Sequence, residues 1–194
     1  TSPDVPTTTT PTTTESTTTD DTPTTDDTGP APLCVVTGLS DLPGVNILFP
    51  EQDCVFTLAE AAAGLEFSYE VVIDAPLADV TPFHSDAGGC DSPGPSGLIT
   101  FPTVSGGDEN YCLCDQGLCP GTVETIALAP GTFPDTFAWT GVNWGGPSDT
   151  NNPKGPPFPP GNYLVTIIAQ GTVGPEGEPQ PFQVQATLAI TLVP

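Results

Sequence analysis

Phe182-Gln-Val-Gln-Ala-Thr-Leu-Ala-Ile-Thr-Leu-Val193 alternates without interruption. Phe182, Val184, Ala186, Leu188, Ile190 and Leu192 fall on one side, with Gln183, Gln185, Thr187 and Thr191 on the other. A period of two with one apolar side is the signature of a half-buried antiparallel strand. Tyr163-Leu-Val-Thr-Ile-Ile-Ala169 reads as a second strand. Between them, Gly171 to Pro181 holds Gly-Pro breaks and two Glu, which predicts a long polar hairpin loop.

Working outward, further strands are expected at Leu33–Thr37, Cys54–Leu58, Leu65–Asp74, Leu98–Val104, Val123–Leu128 and Thr136–Thr140. Ala59 to Ala63 can make one helical turn before Gly64 stops it. Twenty-one Gly and 26 Pro in 194 residues argue against long helices. Short strands with turn signals at regular spacing predict an all-β, Greek-key β-sandwich with disulfide-stapled loops. Phe182–Val193 is the longest alternating run, and at a sheet edge it would accept a strand from a neighbour.

Leu128-Ala-Pro-Gly-Thr-Phe-Pro-Asp-Thr-Phe-Ala-Trp-Thr-Gly141 is followed by Asn143-Trp-Gly-Gly-Pro-Ser-Asp-Thr-Asn-Asn-Pro-Lys-Gly155 and Phe158-Pro-Pro-Gly-Asn-Tyr-Leu-Val-Thr-Ile167. The run of an aromatic strand ending in Trp-x-Gly, a Gly/Asn/Asp loop and Pro-x-Gly-x-Tyr-x-Val resembles bacterial immunoglobulin-like modules. It is similar to the Ig-like domain of flagellar hook-cap proteins and to the bacillar intracellular proteinase inhibitor domain. The resemblance spans residues 128–167 and implies an Ig-like fold, with no function attached. The cysteines have no counterpart in it. Independently, Trp139 and Tyr163 are large aromatics suited to the space between two sheets. Gly161 is expected to permit the turn that feeds Tyr163 into its strand.

Thr1 to Thr28 holds 15 Thr, six acids, four Pro and two Ser, with Val5 its only aliphatic residue. Ordering backbone costs about 1–2 kcal/mol per residue, and this composition buries nothing to offset it. Dense Thr with Pro is instead the composition of an O-glycosylated extracellular stalk. Residues 1–32 are thus expected to be an extended tether and residues 33–194 a folded head. Acceptor candidates are Thr7, Thr8, Thr9, Thr10, Thr12, Thr13, Thr14, Thr17, Thr18 and Thr19. No Asn-x-Ser/Thr sequon occurs.

Twenty-four acids face one base, Lys154, for a net charge of −23. That excludes a nucleic-acid partner and disfavours an anionic membrane surface. No apolar run approaches the roughly 18 residues of a membrane span. A chain beginning at Thr1 fits a processed product, and a lipid-bearing Cys upstream of it is compatible with the sequence. The expected location is extracellular, at a cell surface.

Six cysteines, Cys34, Cys54, Cys90, Cys112, Cys114 and Cys119, are an even set in an oxidising compartment. Cys34 and Cys54 open two neighbouring strands and are expected to pair. Cys90 can reach Cys112 or Cys114, and the one left over would close a small loop with Cys119. Zinc is disfavoured, because Cys112-x-Cys114 followed after four intervening residues by Cys119 matches no common module, even with His84 added.

Asp86, Asp91, Asp108, Glu109 and Asp115 surround that cysteine-rich region, and Asp149, Asn151 and Asn152 decorate the Trp144 loop. Such loops offer oxygen donors to Ca²⁺, yet no EF-hand pattern occurs and a solvated loop is the expectation. No other cofactor is implied. Catalytic groups are scarce. His84 is the only His, and its neighbours Ser85 and Asp86 are too close in sequence for a relay triad. The chain therefore reads as non-enzymatic: a structural subunit of a glycosylated surface fibre or coat, meeting copies of itself or other surface proteins and glycans. The alternative is a tethered adhesion module that contacts carbohydrate or protein through Trp144 and Tyr111.

Overall fold

The computed structural model describes residues 34–82, 93–112, 124–145 and 153–194, all within the unit Pro32–Pro194. Eleven strands and one short helix follow in chain order among these residues: β1 (Val36–Ser40), β2 (Val45–Leu48), β3 (Val55–Thr57), α1 (Leu58–Ala63), β4 (Leu65–Ile73), β5 (Leu77–Pro82), β6 (Thr100–Gly106), β7 (Glu109–Cys112), β8 (Ile126–Leu128), β9 (Gly131–Trp139), β10 (Gly161–Val173) and β11 (Gln180–Val193). The all-β expectation therefore holds as mostly antiparallel strands with almost no helix. No helix among the described residues is long and apolar enough to cross a membrane.

β10 and β11 pair in antiparallel register from Gly161↔Leu192 to Val173↔Gln180. They form the spine of an eight-stranded sheet. The strands run further than their apolar cores suggested, so the hairpin connection shrinks from the expected 171–181 to residues 174–179. β11 is not an edge. Its second flank carries β1, antiparallel from Val36↔Leu188 to Ser40↔Val184, and then β3, parallel from Thr191↔Val55 to Val193↔Thr57. Where those blocks meet, the Ala189 and Thr191 amides donate to the Val35 and Cys54 carbonyls. With its backbone groups occupied, β11 cannot accept a neighbour's strand, which corrects the edge reading. β10 is covered likewise, by β6 and then β5.

Cys34 and Cys54 are disulfide-bonded as expected, although the segments they begin both lie against β11. Cys112 is also disulfide-bonded, and no free cysteine occurs among the described residues. Cys90, Cys114 and Cys119 lie outside them, as does the tail with its threonine acceptors.

The second sheet has the order β2-β4-β9. Its inward side, with Val45, Ile47, Phe67, Tyr69, Val71, Phe137 and Trp139, shares one apolar core with Tyr163, Val165, Ile167 and the six apolar residues of β11. Burial of these faces is the main favourable term in the fold. β9 begins earlier than expected and contains Pro134, tolerated because only one flank of β9 is paired. The expected helical turn forms as α1, capped by Thr57, whose hydroxyl accepts from the Glu60 amide. The Glu60 carboxylate in turn accepts from the Thr57 amide at 2.7 Å, a reciprocal capping box.

Candidate functional site

At one end of the two sheets an aromatic chain is held by loop backbone. Trp139 is 1 % exposed and donates Nε1–H to the Val142 carbonyl at 3.2 Å. Gly141 turns the chain with φ +67°, and a Cβ there would come within 2.9 Å of the Ala61 methyl on α1. That explains the glycine of Trp-x-Gly on both counts. The Phe158 ring lies 4.8 Å from Trp139 and 4.9 Å from Tyr163. Tyr163 donates its hydroxyl proton to the Pro159 carbonyl at 2.7 Å. Gly161 serves this bond rather than a left-handed turn, since a Cβ there would sit 3.0 Å from the Tyr163 oxygen.

Asn143 organises the loop. Its Nδ2 donates to Glu109 Oε2 and to the Pro156 carbonyl, and its Oδ1 accepts from the Asn110 amide at 2.9 Å. The Trp144 amide donates to the Asn110 carbonyl, and the Trp144 carbonyl accepts from the Cys112 amide, so residues 143–144 lie along β7. Sequence reading took Asn143 only as loop material. Its role depends on β7, more than 30 residues away, and has no local signal.

Tyr111 is 6 % exposed, its ring packed against Phe137, Trp139 and Trp144. It belongs to the core and offers no ring face to a ligand. Trp144 is half-buried against it, one side toward solvent. Lys154 and Asp108 are exposed, and Glu109 is held by Asn143. His84, Ser85, Asp86, Asp91, Asp115 and the Ca²⁺ candidates Asp149, Asn151 and Asn152 lie outside the described residues. Among those described, no three His, Cys, Asp or Glu converge as a metal site.

A second polar feature joins the sheets. Tyr69 on β4 donates to Asp135 Oδ2 at 2.9 Å, and its oxygen lies 2.8 Å from Thr100 Oγ1 on β6. Burial, with smaller help from the Asp135 charge, pushes the Tyr69 phenol far above its usual range. Burial also raises Tyr111 and Tyr163, the latter with the Glu109 charge adding to it. A shallow groove of about 340 Å³ lies over Tyr69 and Asp135, floored by Pro50, Ser68, Glu70 and Pro134. An apolar groove of about 280 Å³ runs between α1 and Val142, Pro157 and Phe158. Neither joins a nucleophile to a base.

The outer faces of the two sheets differ in charge. The three-stranded sheet shows Glu66 and Glu70 to solvent on β4. On the eight-stranded sheet, pairing aligns side chains in rows across β1, β11, β10 and β6. One row is Thr37, Thr187, Thr166 and Thr103. On one side of it run Leu39, Gln185, Ile168 and Phe101, and on the other Val35, Ala189, Leu164 and Ser105. No carboxylate stands in these rows. Thr166 and Thr187 are hydrogen-bonded through their hydroxyls at 3.1 Å, as are the side chains of Gln170 and Gln183 at 2.9 Å.

Compared with protein-family models, curated proteins and solved structures, the chain has no match in any of the three.

Proposed function

We propose that this chain is a non-enzymatic extracellular structural protein: an Ig-like Greek-key head on an O-glycosylated Thr/Pro stalk, built into a surface fibre or coat. One observation carries the reading. Cys34, two residues before β1, is covalently joined to Cys54, and Cys54 is hydrogen-bonded to β11, the longest of the described strands. Tension entering the described residues at Cys34 is therefore passed through a covalent bond to Cys54 and the main sheet before it loads the β1–β11 pairing. The Tyr163–Pro159 bond supports the Ig-like assignment, because a tyrosine at a strand start bonded to backbone just upstream is a recurring corner of such sandwiches.

The test is the protein from its native source. An intact mass well above the 19.8 kDa polypeptide, with sugar mapped to the Thr-rich segment, and immunogold label on the cell exterior are the expected results. A bare polypeptide mass, or label confined to the cell interior, overturns the reading. Trp144, half-exposed at the end of the sheets, favours adhesion as the second reading. A saturable glycan titration lost in Trp144→Ala would favour adhesion over a structural role.

A further inference from the structure

We infer that the outer face of the eight-stranded sheet, centred on Leu164 and Thr187, is where two copies of this chain pack against each other. The inference deepens the reading as a coat or fibre subunit by naming the surface through which subunits meet.

Exposed apolar side chains are concentrated there. Among the described residues, six large hydrophobics are exposed, and Val35, Leu39, Val55 and Leu164 stand on this face, between 39 % and 61 % accessible. Exposed apolar groups gathered on one face, with no charge in the three central rows, mark an interaction surface.

Charge selects the occupant. Two chains of net charge −23 repel through loops, through the Glu66/Glu70 face and through their Thr-rich segments. The Thr37-to-Thr103 row and its flanking rows bring no carboxylate against a carboxylate. Register then makes the face self-complementary. A two-fold axis along the threonine row sets threonines on threonines and carries the Leu39/Ile168 row onto the partner's Val35/Leu164 row. Ile168 thus meets the Leu164 of the second copy, and the reverse, as an isologous contact requires.

Four strands spaced about 4.8 Å apart, side by side over about seven residues, give each copy a footprint of roughly 450 Å². That is smaller than the roughly 800 Å² per partner of a stable interface, so free heads associate weakly. Heads crowded on a surface reach the local concentration that makes a weak contact count.

Sedimentation velocity on the full chain tests this, from about 5 µM to about 500 µM and with NaCl up to about 0.5 M to screen the net charge. The expected result is a monomer–dimer equilibrium that strengthens with salt. Leu164→Glu and Leu39→Glu, both at exposed positions, should each weaken it by about tenfold or more, with an unchanged melting temperature. Glu66→Gln on the opposite face should leave it unaltered. A monomer at every concentration and salt, or dimers that both face variants leave intact, would overturn the inference. So would dimers abolished by Val36→Lys alone, which would place the contact at the open edge of β1. A monomeric head on material that carries sugar at the cell exterior would leave the surface-protein reading standing, so the two failures are distinguishable.

Discussion

Cys34 and Cys54 are bonded to each other, Cα atoms 5.6 Å apart, where β1 and β3 meet end to end along one flank of β11. The bridge spans 20 residues of sequence. A loop of that size constrains the unfolded chain by about 3 kcal/mol. The paired Cys34→Ser, Cys54→Ser variant should therefore lose about that much in urea unfolding. A loss below about 1 kcal/mol would mean that strand pairing alone holds this flank.

Tyr69 should be worth more than its ring. Its hydroxyl links Asp135 on one sheet to Thr100 on the other. Tyr69→Phe keeps the packing and removes the link, so we expect a cost of about 1–2 kcal/mol with the fold intact. A Tyr69→Phe protein as stable as the parent would show that water satisfies Asp135 equally well.

All three tyrosines of the chain have raised phenolic values, burial being the first cause in each. The folded protein holds these protons beyond the ordinary value of 10.0, at which the unfolded chain releases them. Above that pH the unfolded state binds fewer protons, so stability is full below it and falls as pH rises through it. Tyrosinate absorbance of the native protein should stay flat through this range and rise with loss of the fold. A tyrosinate step at the ordinary value, with the circular dichroism unchanged, would contradict the burial.

Thr57 and Glu60 close the start of α1 upon each other. Thr57→Ala should cost about 1 kcal/mol. Hydrogen bonds from the Thr57 backbone and then from its side chain hold the Glu60 carboxyl below its ordinary 4.5. A lowered acid stabilises above its unfolded value and stops doing so as pH falls through its folded value. Glu60→Gln should thus lower the melting temperature at neutral pH, with the gap to the parent closing in acid. A gap that persists unchanged in acid would assign it to packing instead of charge.

Alternation made β11, β10 and β4 legible in the sequence, because a strand with one wet and one dry side writes its period into its own residues. The same was true of the Gly64 stop and of Trp139 as core. The Cys34–Cys54 pair was legible because both cysteines precede strands. β2, β5 and β7 were not, being short and carrying Asn46, Asp79 and Asn110 within them. Their pairing is stabilised by partners distant in sequence, which outweigh local preference.

The sequence by itself determined the all-β class, the inward sets of β10 and β11, the one-sided charge balance and the composition of the first 28 residues. Each is a property of residues near one another in the chain. Only the tertiary structure decided that β11 is enclosed on both flanks, that Tyr111 is core, that Asn143 binds β7 to its loop, and that four threonines from four strands form one row flanked by two rows without carboxylates. Each of those depends on which segments become neighbours, and strand pairing brings together residues whose spacing in sequence carries no record of the contact.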